Sequence, residues 1–230
     1  MKIKRIIVVI IIAFGWMAQS VSAQFKVGAE AGYLNNHFHV SSATENQQKH
    51  SYLAGVIASY TFRDIGWLES GLTVQQKGVG FKPEPTYGSA ISAIDNANMK
   101  ATYLDLPVLI GLKLDLAKDI SIIPKMGGFL SYGLIGTARF NGKTEEGEAF
   151  SEKYDVFTAL NYSGNIEDPR LLRYKYSRLD AGVQLGLDLM WKQYAIRGAY
   201  KFGLTDHYFF DSRINSRTFS ISIAYYFLNK

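Results

Sequence analysis

The sequence lacks cysteine altogether and is poor in proline, with 5 prolines against 21 glycines in 230 residues. Without cysteine, the chain has neither disulfide bonds nor thiol chemistry, and it cannot be anchored as a lipoprotein through an N-terminal cysteine. Beyond residue 23 it also lacks any apolar run approaching the roughly 20 residues of a transmembrane helix. Any part that crosses a membrane must therefore do so as a closed β-barrel. The 14% content of aromatic residues favours β-structure.

The one long apolar run lies at the N-terminus. Three basic residues precede the apolar stretch 6–18, and a small-x-small cleavage site ends at Ala23. The stretch has only thirteen residues, too few for a spanning helix. We therefore predict that residues 1–23 are a secretory signal peptide and that residues 24–230 form one exported domain.

The signal peptide carries much of the positive charge. It holds three of the 25 lysines and arginines and none of the 20 acidic residues, so the remaining chain has 22 basic against 20 acidic residues, a net charge of +2. A chain so close to neutrality has no electrostatic basis for binding nucleic acid. We expect no nucleic-acid partner.

Eight segments alternate between apolar and polar residues, which is typical of β-strands with two unlike faces. In residues 176–189, aliphatic side chains from Leu179 to Leu189 share one face, and Arg178, Asp180 and Asp188 share the other with two glycines. The eight segments are 25–34, 52–62, 67–78, 102–114, 120–139, 176–189, 194–204 and 218–227.

The connections between these segments alternate between long and short. Residues 35–51, 80–101, 140–175 and 205–217 are long connections, and residues 63–66, 115–119 and 190–193 are short ones. Outer-membrane barrels have an even strand number, short periplasmic turns and longer external loops. The pattern predicts an all-β fold, an eight-stranded antiparallel up-and-down barrel with its long loops at one end.

Alternation leaves two orientations open. A secreted, soluble, lipocalin-like binding barrel would turn its apolar face inward, whereas an outer-membrane barrel turns it towards lipid. Glycines gather on the polar face, which suits the narrow interior of an eight-stranded barrel. Aromatic residues gather beside the short turns, as in an interfacial girdle: Tyr60, Phe62, Trp67, Trp191, Tyr194, Tyr225 and Phe227. We therefore predict a transmembrane β-barrel surrounded by lipid in the bacterial outer membrane.

The polar face carries charges of both signs. An isolated buried charge costs several kcal/mol of desolvation, so charges inside the barrel must be paired. We predict a salt-bridged, plugged lumen with little or no conductance. The predicted network is Glu30, Glu69, Lys77, Asp105, Lys113, Lys125, Arg178, Asp180, Asp188, Arg197 and Lys201.

Two motifs indicate a family. The strand YLDLPVL at residues 103–109 and the segment GGFLSY at residues 127–132, together with the signal peptide and eight alternating strands, resemble the PorT-like outer-membrane β-barrel family of Bacteroidetes. The resemblance covers residues 24–230. It implies the porin-family barrel fold and the outer membrane, and one member has a role in protein secretion. An envelope or secretion-related role is therefore the expectation that the resemblance supplies.

Candidate chemical sites are weak. His37, His39 and His50 invite a metal-site interpretation, but they lie in a predicted loop without cysteine or carboxylate ligands, and solvated loop histidines fit better. Triads are recognised by geometry and not by nearness in sequence, so the grouping of His207 with Asp206 and Ser212 does not establish catalysis. We predict no catalytic residues, no metal and no cofactor.

The connection 140–175 is the leading candidate for partner binding, because exposed loops on a rigid scaffold commonly carry function. The aromatic candidates for binding within it are Phe150, Tyr154, Phe157 and Tyr162. A purely shielding loop is the other interpretation. The sequence thus predicts a non-enzymatic membrane protein that binds a protein partner through its external loops. A small-solute pore and a lipid-modifying outer-membrane enzyme are alternatives.

Overall fold

The computed structural model describes residues 24–37, 43–47, 49–83, 94–143, 148–157, 174–175, 177–205, 207–209 and 212–229. The predicted signal peptide, residues 1–23, lies outside these ranges. Within them, no helix is long and apolar enough to cross a membrane. The strands are β1 (Gln24–His37), β2 (Ala43–Gln47), β3 (Lys49–Phe62), β4 (Gly66–Pro83), β5 (Ile94–Leu112), β6 (Leu114–Ala117), β7 (Ile120–Lys143), β8 (Ala149–Tyr154), β9 (Tyr174–Lys175), β10 (Leu179–Trp191), β11 (Tyr194–Gly203), β12 (His207–Phe209), β13 (Ser212–Ile214) and β14 (Arg217–Asn229).

Eight of these strands close into a barrel. Around the ring the order is β1, β3, β4, β5, β7, β10, β11 and β14, and every neighbouring pair is antiparallel. The pairing of β14 with β1 joins the two ends of the chain and closes the ring. Each predicted segment overlaps one of these strands, so the predicted eight-stranded up-and-down barrel is confirmed.

The alternation along β10 shows why these segments are strands and which face is inside. Asp180 and Asp188 are fully buried, whereas Leu185 and Leu187 are 45% and 50% exposed. Successive side chains of a strand point to opposite faces, so the aliphatic row lies outside and the polar row faces the interior. The barrel is therefore apolar on its outer surface and polar within.

The short connections form tight turns at one end of the barrel. Arg63 and Asp64, between β3 and β4, have φ angles of 51° and 63°. Positive φ is uncommon in residues other than glycine and is typical of tight turns, and this connection is only three residues long because Phe62 pairs with Gly66. Tight turns of this kind fix the register of the pairs that they join.

Strands at the opposite end continue well beyond the barrel. A membrane-crossing strand needs about 9–11 residues, whereas β4, β5 and β7 have 18, 19 and 24 residues. Strand β2 adds to the edge of β4, and β8 adds to the edge of β7. The resulting sheet, in the order β2-β4-β5-β7-β8, is called the platform below. A separate small sheet contains β9, β12 and β13.

Candidate functional site

The interior of the barrel carries balanced charge. In the described part of the chain, ten charged side chains point inward, and each is at most 10% exposed. Five are cations and five are carboxylates, so the interior is neutral when all are ionised. The cations are Lys26, Lys77, Lys125, Arg197 and Lys201, and the carboxylates are Glu30, Glu69, Asp105, Asp180 and Asp188.

The layer nearer the short turns is a continuous chain of ion pairs. Arg197 contacts Glu30 at 2.8 Å and also binds Glu69. Lys125 bridges Glu69 at 2.8 Å and Asp188 at 2.5 Å. Charge-assisted hydrogen bonds of this type are about twice as strong as neutral ones. Because each charge has a partner of opposite sign, the layer offsets the desolvation cost of burying it.

A second layer lies nearer the platform and has two ion pairs. Lys201 contacts Asp105 at 2.6 Å, and Lys77 contacts Asp180 at 2.5 Å. Neutral side chains also donate hydrogen bonds to these carboxylates. Gln75 donates to Asp105 at 3.0 Å, and hydroxyl groups of Ser131 and Ser216 donate to Asp105 and Asp180 respectively.

Aromatic rings fill the space between the ion pairs. The ammonium groups of Lys77 and Lys201 each lie 5.4 Å from the ring centroid of Phe129. Lys77 also lies 4.9 Å from the ring of Tyr103. A cation over an aromatic face is attracted to the negative side of the ring quadrupole. The rings therefore pack the interior and solvate the lysines together.

Trp67 is one of these interior rings, and its predicted place in the interfacial girdle is wrong. The residue is fully buried, its indole N–H donates to Glu69 at 3.3 Å, and its ring packs edge-on against Tyr226. Trp67 lies two residues from Glu69 on β4 and therefore shares its inward face. The outward residues Tyr194 and Tyr225 do pack together, with ring centroids 5.1 Å apart.

Two members of the predicted network lie outside the ion-paired interior. Arg178 precedes β10, and its side chain is 44% exposed; it donates to the carbonyl of Gly133 and lies over the ring of Phe157. The face alternation does not apply to it because the strand begins only at Leu179. Lys113 follows the last residue of β5 and pairs with Asp115 at 3.1 Å among the short turns.

Lys26 and Gln75 belong to the interior, and the sequence places them on the polar face, but the predicted network does not include them. The signal for Lys26 was available, since it shares the face of Gly28 and Glu30 on β1. Gln75 and the serines gave no such signal, because an uncharged polar residue on the inner face does not reveal which carboxylate it will meet. Pairing between distant strands decides that.

The aromatic candidates of the 140–175 connection are placed differently from one another. Phe157 packs edge-on against Tyr103 at 5.8 Å and covers Gly133, so its ring does not stand free. Tyr154 is half-buried at the end of β8. Phe150 is the second residue of β8, and Tyr162 lies outside the described residues.

The other candidate residues form no recognisable site. His50 stacks on Tyr33, with ring centroids 5.6 Å apart, and His39 and Asp206 lie outside the described residues. In the register of β12 and β13, His207 pairs with Ile214 and Ser212 with Phe209, so the two residues of the suspected triad are not partners. Among the residues that the structure describes, no group of three histidine or carboxylate side chains could hold a metal ion.

An apolar exterior around a charged, ion-paired interior is the reverse of a soluble barrel, and the secreted lipocalin-like alternative is therefore wrong. This arrangement defines a transmembrane β-barrel of the bacterial outer membrane. The sequence profile of the family described as outer membrane protein beta-barrel domain matches residues 17–208, and the chain belongs to that family.

Solved outer-membrane proteins are similar to this chain. The attachment invasion locus protein Ail of Yersinia pestis, in complex with a heparin analogue, is 10% identical, with a TM-score of 0.43 and coverage of 90% of this chain and 100% of that one. Neisserial surface protein A is 12% identical, with a TM-score of 0.40 and coverage of 90% of this chain and 100% of that one. OprG of Pseudomonas aeruginosa is 11% identical, with a TM-score of 0.42 and coverage of 89% of this chain and 95% of that one. No curated protein matches in sequence.

Proposed function

We propose that this protein is a non-enzymatic outer-membrane protein with a plugged lumen, and that it acts through the external strands that rise above the membrane. The observation that carries the proposal is the bond between Arg197 and Glu69. These residues belong to β11 and β4, which lie opposite each other in the ring. A side-chain pair that reaches from wall to wall obstructs the path along the axis, which supports a plugged lumen.

The packing around that pair supports the same conclusion. The interior of an eight-stranded barrel is just wide enough for side chains to fill. At Gly186 an added Cβ would lie 2.9 Å from Cε of Lys125, which is closer than carbon atoms can approach without moving. The absence of a side chain at Gly186 therefore leaves the room that the Lys125 side chain occupies.

Planar-bilayer recording tests the plugged lumen. We expect the refolded protein to give no steady ion current, while a known wide porin in the same membranes conducts. A steady current from the wild-type chain would overturn the proposal in favour of the small-solute pore. An activity on lipid A or phospholipid that disappears in His207→Ala would overturn the proposal in favour of a lipid-modifying enzyme.

The platform is the proposed interaction surface. Its outward face carries basic residues: Lys100 on β5, Arg139 on β7 and Lys153 on β8 are all exposed. Arg139 and Lys153 lie directly opposite each other in the β7–β8 register. Like charges in directly opposed positions destabilise a sheet, and an acidic partner would relieve that repulsion. We therefore propose an acidic surface on a protein partner.

Site-specific photo-crosslinking in the native envelope tests this role. A photoreactive amino acid at Lys153 should give a discrete protein adduct, whereas the same group at Leu187 on the lipid-facing surface should give lipid adducts only. The variant Arg139→Glu should weaken the protein adduct at position 153. If position 153 yields only lipid adducts, the platform faces acidic headgroups and the protein-partner proposal fails.

The finer, PorT-like assignment is also a proposal. It is supported by the placement of the two motifs, residues 103–109 and 127–132, because they lie side by side on β5 and β7. Asp105 of the first motif accepts a hydrogen bond from Ser131 of the second. We propose an envelope or secretion-related role on this basis. Cells that lack the protein should retain exported proteins that complemented cells release, and an unchanged protein profile of the medium would contradict it.

A further inference from the structure

The barrel has an open cavity at its short-turn end, away from the platform. Its volume is about 450 Å³, and it opens to the periplasm, since outer-membrane barrels place their short turns there. Strand β1 contributes Lys26, and the segment between β5 and β7 contributes Lys113 and Lys118. Lys192 from the β10–β11 turn completes a set of four lysines around one space.

Lys26 is the unusual member of this set. Its side chain is more than nine-tenths buried, yet its ammonium group donates only to the sulfur of Met190, at 3.7 Å, among the residues that the structure describes. A thioether is a weak acceptor, and a buried charge without a good partner is costly. The remaining lysines and carboxylates of the interior are ion-paired, so Lys26 retains hydrogen-bonding capacity that faces the cavity.

The rim adds positive charge that its own carboxylates do not cancel. Asp115 is engaged by Lys113 at 3.1 Å and by the hydroxyl of Ser121 at 2.6 Å. The Ser121 hydrogen bond and the Lys113 ammonium hold the pKa of Asp115 below its usual range, so it is anionic at neutral pH. Four lysines against Asp115 and Asp119 leave an excess charge of +2 around the cavity.

The rim is also held in place by the backbone. The amide of Lys192 donates to the carbonyl of Asp119 at 3.0 Å, which ties the β10–β11 turn to the turn before β7. Lys192 has a φ of 54°, a conformation fixed by that tight turn. Two lysine-bearing turns are therefore joined before any ligand arrives, and little ordering remains to oppose binding.

We propose that this cavity is a binding site for a phosphate group, with Lys26 at its base and Lys113, Lys118 and Lys192 at its rim. A phosphate monoester carries about −1.5 to −2 charges at pH 7 and three strong acceptor oxygens, which matches the excess positive charge and the free donors. Lysines bind phosphate as compact point charges. The group is supplied either by a soluble phosphate in the periplasm or by the headgroup of an inner-leaflet phospholipid.

Titration calorimetry on the full barrel in phosphatidylcholine nanodiscs tests the site, with inorganic pyrophosphate as the probe. We expect saturable binding to the wild-type protein and at least an about tenfold loss of affinity in Lys26→Met, which keeps the length of the side chain but removes its charge. Lys100→Met, at the platform end, is the matched control and should bind as the wild type does. Equal affinity in Lys26→Met and the wild type would overturn the proposal.

A second arm separates the two sources of phosphate. Saturation in phosphatidylcholine nanodiscs identifies a soluble phosphate. If pyrophosphate binds only weakly there, and nanodiscs with phosphatidic acid protect the Lys118 and Lys192 amines from acylation relative to phosphatidylcholine alone, the ligand is a lipid headgroup. If pyrophosphate binding does not saturate and phosphatidic acid gives no protection, the cavity is not a phosphate site.

A rim variant guards against misfolding. If Lys26→Met fails to give the heat-modifiable migration of a folded barrel, Lys118→Gln combined with Lys192→Gln replaces it, because both residues lie in exposed turns. This double variant should lose at least about tenfold in affinity while the barrel stays folded. Retained affinity in it would contradict the role of the rim.

Discussion

Arg197 and Glu69 are bonded to each other although their strands, β11 and β4, stand four places apart in the eight-membered ring. They therefore reach across the full width of the barrel. Arg197 also holds Glu30 at 2.8 Å, so one guanidinium group pairs with carboxylates from two other strands, β1 and β4. The stability of the interior depends strongly on this single side chain.

Arg197→Met should lower the free energy of unfolding by about 3–5 kcal/mol, because it leaves Glu30 and Glu69 buried with too little positive charge. Urea unfolding in lipid vesicles, followed by heat-modifiable migration, measures the change. The matched control is Arg178→Met, which removes an exposed cation and should cost about 1 kcal/mol or less. Equal losses in the two variants would show that Arg197 is not part of a buried network.

Trp67 and Trp191, the two tryptophans among the described residues, should report opposite surroundings. Trp67 is fully buried, whereas Trp191 is 56% exposed on the outer face. In vesicles with brominated lipids, the fluorescence of Trp191 should be quenched in the Trp67→Phe variant, because its ring meets the acyl chains. The fluorescence of Trp67 in the Trp191→Phe variant should be unaffected. Strong lipid quenching of Trp67 would show that it lies in the interfacial girdle, as its sequence position suggests.

Charge placed on the outer face of β10 should be costly according to depth. Val183→Arg puts a guanidinium group on the lipid-facing surface well inside the strand, and it should cost about 2–4 kcal/mol if that position is near the bilayer midplane. Leu179→Arg, at the first residue of β10, should cost about 0–1 kcal/mol because it is near the interface. Refolding titrations in vesicles compare the two, and a flat profile with depth would argue against a bilayer-spanning β10.

Glycines on the two faces should differ in their tolerance of a methyl group. A Cβ at Gly182 would overlap the carbonyl oxygen of Phe202 and lie 2.8 Å from ring atoms of Phe129, so Gly182→Ala should cost about 1–3 kcal/mol. At Gly198 the nearest atom is the carbonyl oxygen of Leu187, 3.9 Å away, so Gly198→Ala should be neutral. Unfolding in urea distinguishes them. A neutral Gly182→Ala would mean that the interior has unfilled space.

Period-two alternation was sufficient to predict the eight strands and the outward direction of rows such as Leu185 and Leu187. It could not predict where a strand begins, and Arg178 was misplaced because it lies just before the start of β10. Trp67 was misplaced for another reason. Aromatic residues near strand ends are usually interfacial, and only the inward parity that it shares with Glu69 places it inside.

The partners within the interior could not be predicted from the sequence, because each is a contact between strands far apart in the ring. Sequence shows that Asp105 needs a cation, but not that Lys201, three strands away, supplies it. The periplasmic cavity was hidden for the same reason. Its lysines come from separate turns and from β1, and they meet only when the barrel closes.

The ion pairs of the interior also constrain the order of assembly. Glu69 and Arg197 are separated by 128 positions in the chain, and Lys77 and Asp180 by 103. Within the β10–β11 hairpin Asp188 and Arg197 do contact each other at 3.4 Å, but the pairs of Glu69, Lys77 and Asp105 reach other hairpins. A half-built sheet that lacks β10 and β11 would therefore present unmatched carboxylates and ammonium groups to the bilayer. Insertion of this protein should accordingly be all-or-none, because the inward charges are matched only when β10 and β11 have joined the sheet.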